Sequence, residues 1–389
     1  MTGPFTLGYR RSLDGVRGVA ILAVMAYHFR SATHAIPTRG GFLGVDVFFV
    51  LSGFLITSLL CDELATKGRI RLTLFYARRA QRLLPALFTM IALFLIWAVT
   101  FGPNDWVAGY LKDAFAAIFY FENWFRGFNP AGAHPGLLHT WSLSVEEQFY
   151  LLWPIALVTS VRVAGRRGAL VTATAGVAII PVIRALTYHP GHAAEIFFFT
   201  RFDMLLVGCA VALLLAGGME RRPPSWVSWA AVLVILGFLV AAVNPSRNLH
   251  AVGFSLFAAA CGVVLWTLVT RPQWLITRLL ERRTIVGIGR ISYGLYLWHM
   301  PVFVMVRQYV PHVRFAGPLS LLLTFVVALA SYRFVEWPFL RLKARLSSAK
   351  RTTPEDSLPQ TEKAPSRLPP ALLDQDAADV EPVPQRPAG

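Results

Sequence analysis

Three groups of residues in this 389-residue chain have the types and spacing for chemistry. Arg17 and His28 stand eleven positions apart, close to three helical turns. On a helix they share one face and lie about 16 Å apart along the axis. A histidine in an apolar helix can act as a general base, because its neutral form is accessible near pH 7. The same spacing equally suits a buried histidine satisfied by a helix neighbour. In the run Arg78-Arg79-Ala80-Gln81-Arg82, Arg79 and Arg82 face the same way on a helix. They can grip phosphates in the bidentate manner of guanidinium groups, although basic anchoring at a membrane surface explains them as well. In the third group, His139 to Glu147, Ser142 or Ser144 can cap a helix with Glu146 closing the box. Capping does not account for a second acid, Glu147, beside an apolar span.

These groups must be positioned by membrane helices. The chain is 55% hydrophobic and 15% charged, with a mean hydropathy of +0.53, well below the quarter of charged residues usual in soluble domains. That excludes a soluble two-domain enzyme and implies an all-α polytopic membrane protein. Runs of about 20 apolar residues predict ten transmembrane helices, near 14–33, 43–62, 83–101, 143–162, 169–187, 200–217, 226–243, 252–270, 290–310 and 316–340. Ten spans with cytoplasmic termini place most Lys and Arg in inner segments. The outer ones hold only Arg30, Arg39, Lys112, Arg126, Arg247 and Arg314. Counting 107–125 as a full span would reverse every later basic loop, so that stretch is expected to be a re-entrant or interfacial helix in a long outer loop. Residues 1–345 then form the transmembrane domain, and the Pro-rich segment 346–389 reads as a disordered cytoplasmic tail.

Ionisable residues inside a bilayer are costly and are functional candidates by default. Asp14, Arg17 and His28 lie in the first span, Asp46 in the second, Glu146 and Glu147 in the fourth. Arg201 and Asp203 lie in the sixth, His299 and Arg307 in the ninth, Arg333 and Glu336 in the tenth. Those six helices are expected to surround a polar cavity. The spans 226–243 and 252–270 carry no charge and are expected to face lipid. Ser52-Gly53 can permit close helix packing. Cys61, Cys209 and Cys261 lie in or beside apolar runs and form neither a disulfide framework nor a CxxC metal site. A net charge of +16 would suggest nucleic acid in a soluble protein, but here the bases sit in membrane loops, so no nucleic-acid partner is expected. No metal motif, Walker loop or dinucleotide fingerprint occurs. These features fit a membrane transferase with a phosphorylated donor or a proton-coupled transporter, and spacing alone does not choose.

The chain resembles the membrane-bound acyltransferase-3 family. The resemblance rests on LDGVRGVAILAVMAYHF (13–29), GGFLGVDVFFVLSGFLI (40–56), FYARRAQRLLPAL (75–87), HTWSLSVEEQFYLLWP (139–154), RFDMLLVGCAVA (201–212), ISYGLYLWHMPVF (291–303) and SYRFVEWPF (331–339), all in order. It implies transfer of an acyl group, usually acetyl, from acyl-CoA to a hydroxyl of a carbohydrate or lipid-linked glycan in the bacterial inner membrane. The acceptor is expected to be an O-antigen, an exopolysaccharide, peptidoglycan or another glycosylated molecule. No cofactor is expected to be bound permanently; acetyl-CoA would be a substrate, and membrane lipids the surroundings. The family's Arg-x10-His pair falls on Arg17 and His28, its Arg-x-x-Arg motif on Arg79 and Arg82, and its SGF motif on Ser52, Gly53 and Phe54. The SGNH-type domain that some members carry is not found in this sequence. The mechanism this implies holds donor phosphates on Arg79, Arg82 and Arg17, uses His28 as base with Asp46 or Glu147 orienting it, and takes Trp141 or a backbone N–H as oxyanion donor. The alternative from another class is a transporter or flippase of a glycan or lipid-linked intermediate.

Overall fold

The computed structural model describes residues 7–33, 39–128, 134–188, 199–219, 221–242, 248–310, 316–339 and 341. The segment 346–389, expected to be a tail, lies outside the described residues. Every regular element among them is helical. We number the α-helices α1 (Arg11–Thr33), α2 (Gly44–Lys67), α3 (Leu72–Phe101), α4 (Asn104–Ile118), α5 (Glu122–Phe128), α6 (Thr140–Leu186), α7 (Phe202–Ala216), α8 (Ser225–Ala241), α9 (Phe254–Thr270), α10 (Leu275–Leu280), α11 (Arg283–Arg290), α12 (Ser292–Tyr309) and α13 (Ala316–Ser331).

Each of the ten expected spans coincides with one of these helices or with an arm of one. The 47 residues of α6 hold two of them: the helix breaks at Ala164 and Gly165, and Gly165 has φ +59°, a backbone region open to glycine at little cost. Beyond the break, Thr172 Oγ1 comes back to within 2.8 Å of Ser160 Oγ, joining the two arms. The stretches Gly41–Lys67, Leu72–Phe101, Thr140–Leu186, Leu249–Thr270 and Ala316–Phe339 are long and apolar enough to cross a membrane.

The stretch 107–125 forms a broken hairpin. α4 has 15 residues, about 22 Å and short of the roughly 30 Å hydrocarbon core. It ends at a turn in which Tyr120 takes φ +56°, and α5 leads away. The turn is pinned from α6: Gln148 Nε2 donates to the Tyr120 carbonyl at 2.8 Å, and the Glu122 N–H donates to Ser144 Oγ at 3.2 Å. Arg126 on α5 lies 2.8 Å from Asp113 and 2.6 Å from Glu122, tying the two arms together.

Close backbone packing holds the centre. A Cβ on Gly53 of α2 would overlap the Leu205 carbonyl of α7, and one on Gly208 would overlap the Val50 carbonyl. The absence of a side chain at these two positions lets α2 and α7 touch backbone to backbone, as small residues do at membrane helix interfaces. Phe49, Phe54, Met204 and Leu205 fill the core around that contact, together with buried Cys209 and Cys261.

One expectation is corrected here. Helix α8 buries only Ser228 and Ala231, which suits a lipid-facing span. Helix α9 is mainly buried. Its Ser255 donates to Asp203 at 2.9 Å, and its small residues Ala258, Ala260 and Gly262 let it pack inside. A lack of charge marked an interior helix as well as a peripheral one.

Candidate active site

A cavity of about 780 Å³ opens at the end of the bundle where the basic segments gather, within the size range of small-molecule sites. Its mouth is formed by Leu7, Lys67, Leu74 and Arg78. Arg17, Ser52, Arg79, Arg82, Glu146, Glu147 and Tyr150 line its walls, and Ser142, Phe48 and Tyr296 close its inner end. Tyr120, at the hairpin turn, and Tyr293 also face it. Five of the helices that supply these groups, α1, α2, α3, α6 and α12, come from five separate stretches of sequence.

The charges in this cavity are unequally committed. Arg79 is held by Glu147 at 2.7 Å and lies over the Tyr150 ring, 3.5 Å from its centroid. Glu146 accepts the Tyr150 hydroxyl at 2.6 Å. Arg17 has only a loose contact with Asp14, at 3.8 Å, and Asp14 also accepts the Tyr9 hydroxyl at 2.9 Å. Arg82 makes no hydrogen bond or ion pair with any described residue and is exposed to the cavity. Glu336, in the π-turn after α13 (Tyr332–Glu336), is not in the cavity wall; its Oε1 is buried without a hydrogen-bond partner, against Gly294.

Beyond the inner end lies a cluster of imidazoles. The ring centroids of His28 and His299 are 5.1 Å apart, and those of His299 and His139 5.0 Å. The Tyr296 ring touches both His139 and His299. The Tyr296 hydroxyl donates to the His139 carbonyl at 2.9 Å and is hydrogen-bonded to Ser142. These two hydroxyls form the partition between cavity and histidines. His28 is half-buried, and its Nδ1 faces the Val24 carbonyl at 3.1 Å. A carbonyl only accepts, so Nδ1 carries the hydrogen and Nε2 keeps its lone pair, the arrangement a general base requires.

The structure brings several sequence candidates elsewhere. Asp46 pairs with Arg201 at 2.8 Å, not with His28. Asp203 takes both arms of Arg184, at 2.9 and 3.1 Å. These four residues form a separate buried ion-pair cluster in which two positive charges meet two negative ones. Glu147 is likewise occupied by Arg79, so neither expected carboxylate orients His28; the Val24 carbonyl does. Trp141 packs edge-on against Phe49 and is not part of the cavity wall. Helix α6 starts at Thr140, earlier than the proposed cap. Ser142 bonds back to the His139 carbonyl at 3.1 Å, Ser144 back to that of Thr140 at 3.2 Å, so neither serine caps the helix. The six helices expected around one cavity thus divide between two polar centres.

Sequence reasoning did not single out Arg184 or Tyr296 and gave His139 no role. Arg184 closes the fourth corner of the ion-pair cluster, Tyr296 helps close the inner end of the cavity, and His139 stands behind it beside His299.

A family model described as an acyltransferase domain matches residues 10–333. The chain belongs to this acyltransferase family. Among curated relatives, the peptidoglycan O-acetyltransferase OatA of Listeria monocytogenes is 31% identical over 360 residues, covering 87% of this chain and 57% of that protein. The O-acetyltransferase OatA of Staphylococcus aureus is 33% identical over 357 residues, covering 85% of this chain and 57% of its own length. The chain therefore spans a little over half the length of these relatives. No solved structure matches the chain significantly. The match includes Arg17, His28, Arg79, Arg82, the stretch 139–154 and His299.

Proposed function

We propose that the chain is a multi-pass O-acyltransferase that moves an acyl group, most simply acetyl, from acyl-CoA to a hydroxyl of a cell-envelope glycan. The observation that carries this reading is the cavity itself: a free guanidinium, Arg82, and a loosely held one, Arg17, at a wide basic mouth, with the histidine pair His28–His299 immediately behind its inner wall. Arg82 and Arg17 would take the donor's phosphates, because a guanidinium without a carboxylate partner is free to form charge-assisted bonds. Arg79 would shape the wall through Glu147 and Tyr150. The thioester would reach the Ser142–Tyr296 partition. On its far side His28 Nε2 would remove the proton from the acceptor hydroxyl as it attacks the thioester carbon. Under the positive-inside rule the basic mouth faces the cytoplasm, where acyl-CoA is made, and the acceptor approaches from the opposite side. Peptidoglycan, named for the Listeria relative, is the first acceptor to test.

The experiment uses membrane vesicles containing the protein, radiolabelled acetyl-CoA and a peptidoglycan-containing extract. Wild type is expected to release CoA and label the glycan fraction, and His28→Ala, inserted at the same level, to do neither. CoA-independent behaviour of the wild type, or full transfer by His28→Ala, would overturn the proposal.

A further inference from the structure

The three histidines share a feature that a single general base does not need. Each has one ring nitrogen against a backbone carbonyl: His28 Nδ1 at 3.1 Å from Val24, His299 Nδ1 at 2.6 Å from Tyr296, and His139 Nε2 at 3.1 Å from Leu297. Carbonyls donate nothing, so all three of these nitrogens carry hydrogen. The remaining nitrogens, His28 Nε2, His299 Nε2 and His139 Nδ1, are bare lone pairs. Those of His299 and His139 are buried and have no hydrogen-bond partner. Leaving a buried acceptor unpaired forfeits its hydration with nothing in return, so a native structure that keeps two side by side calls for a reason. A metal is not the reason on geometry: among the described residues no three His, Cys, Asp or Glu side chains are arranged to hold one. The neighbours that can titrate are Tyr27, stacked edge-on to His28, and Tyr296; no carboxylate or arginine pairs with the three rings among the described residues.

Three contiguous acceptors with no donor between them make a site for one proton. We infer that His139 and His299 act with His28 as a shared proton-holding site, which keeps the proton of the acceptor hydroxyl until the departing sulfur takes it. This inference rests on the proposed transfer. In that reaction the acceptor oxygen forms its bond to the acyl carbon, the carbon–sulfur bond breaks with its electron pair going to sulfur, and the hydroxyl proton must end on sulfur. The oxygen lies on the His28 side and the sulfur on the cavity side of the Ser142–Tyr296 partition. His139 and His299 adjoin the partition, because both rings contact the Tyr296 ring, whose hydroxyl is hydrogen-bonded to Ser142 on the cavity face. The proton moves from His28 Nε2 to His299 Nε2 and His139 Nδ1; the Tyr296 and Ser142 hydroxyls, each giving up one proton as it takes one, pass a proton on to sulfur, and the rings return to neutrality. Nothing else is consumed.

The test exploits which nitrogen each ring uses for structure. In His139→Gln the amide can replace the Nε2–H donor to Leu297, and in His299→Asn it can replace the Nδ1–H donor to Tyr296. Both variants keep the structural bond and lose the lone pair that accepts a proton. Insertion and thermal stability near wild type are checked first, with His139→Asn and His299→Gln as further variants. In the vesicle assay, each is expected to lower kcat by about a hundredfold, the scale of lost acid–base assistance, to leave KM for acetyl-CoA unchanged and to enlarge the solvent deuterium isotope effect. Wild-type kcat and isotope effect in His139→Gln and His299→Asn, with His28→Asn inactive, would overturn the shared site while leaving the proposed transfer intact. A KM change without a kcat change would also overturn it. Absence of transfer by the wild-type protein would instead remove the reading on which it rests.

Discussion

Breaking the Asp46–Arg201 pair tests whether this buried cluster holds the bundle together or takes part in chemistry. Both side chains are about 97–98% buried and their charged atoms are 2.8 Å apart. The Arg201 guanidinium also lies 3.5 Å from the Phe254 ring centroid. Asp46→Leu leaves Arg201 in direct contact with that ring and with the Met204 sulfur, at 3.9 Å, and with the more distant charge of Asp203, which Arg184 already holds. A desolvated cation–π contact supplies about 2 kcal/mol, whereas stranding one member of a buried ion pair costs about 3–5 kcal/mol. At roughly 2 °C per kcal/mol for a chain of this size, Tm in detergent should fall by about 6–10 °C. Arg201→Met should cost a similar amount by stranding Asp46 beside Asp203. The double variant Asp46→Leu/Arg201→Met removes both charges and leaves the Arg184–Asp203 pair balanced, so it should recover to within about 2 kcal/mol of wild type. Its transfer activity per folded molecule should be retained. Two results would refute the reasoning: a double variant as unstable as the sum of the singles, or a stable double variant that no longer transfers.

Three further outcomes follow from the geometry. Arg82 makes no hydrogen bond or ion pair with any described residue, so Arg82→Ala should leave Tm unchanged and raise KM for acetyl-CoA about tenfold, the loss of one charge-assisted bond; an unchanged KM in donor titrations would place the phosphates elsewhere. Gly53→Ala should destabilise by about 1–3 kcal/mol, because its methyl meets the Leu205 carbonyl. Gly237→Ala on lipid-facing α8, where nothing lies within 4 Å, should be neutral or stabilising by up to about 1 kcal/mol, and equal thermal shifts for the two would argue against the close α2–α7 contact. Tyr296→Phe keeps the ring but removes a partition hydroxyl, while Ser142 continues to hold the His139 carbonyl. It should fold and should raise acetyl-CoA hydrolysis in the absence of acceptor; hydrolysis at the wild-type rate would show that the hydroxyl does not seal the cavity.

The helix order was readable because each span is an apolar run of about 20 residues set off by basic or turn-rich loops. That 107–125 is not a full span was readable from the basic loops that follow it, which a further span would reverse; its break into two helices at Tyr120 was not. Pairing was not readable. Asp46 and Arg201 are 155 positions apart, and nothing local in either helix says that α7 brings Arg201 rather than α1 bringing His28. Arg184 sits at the end of an apolar arm, where a basic residue looks like ordinary anchoring; only the packing of α7 and α9 turns it inward to Asp203 and Ser255. Tyr296 is an aromatic residue within a span, which sequence cannot distinguish from core packing.

The spacing of Arg17 and His28 takes on a sharper meaning once the partition is seen. The two residues share a rigid helix, yet Arg17 lines the basic cavity and His28 lies behind Tyr296 and Ser142. On the proposed transfer, a donor held by its phosphates at one end and a base about 16 Å farther along the same helix would be kept at fixed separation on opposite sides of the Ser142–Tyr296 partition. Only the acyl group and one proton then need to pass it. Rotation of two hydroxyl-bearing side chains is a far smaller rearrangement than the rocking of half-bundles by which transporters alternate access. Under the proposed transfer, with donor and acceptor on opposite sides of the membrane, no larger motion would be needed.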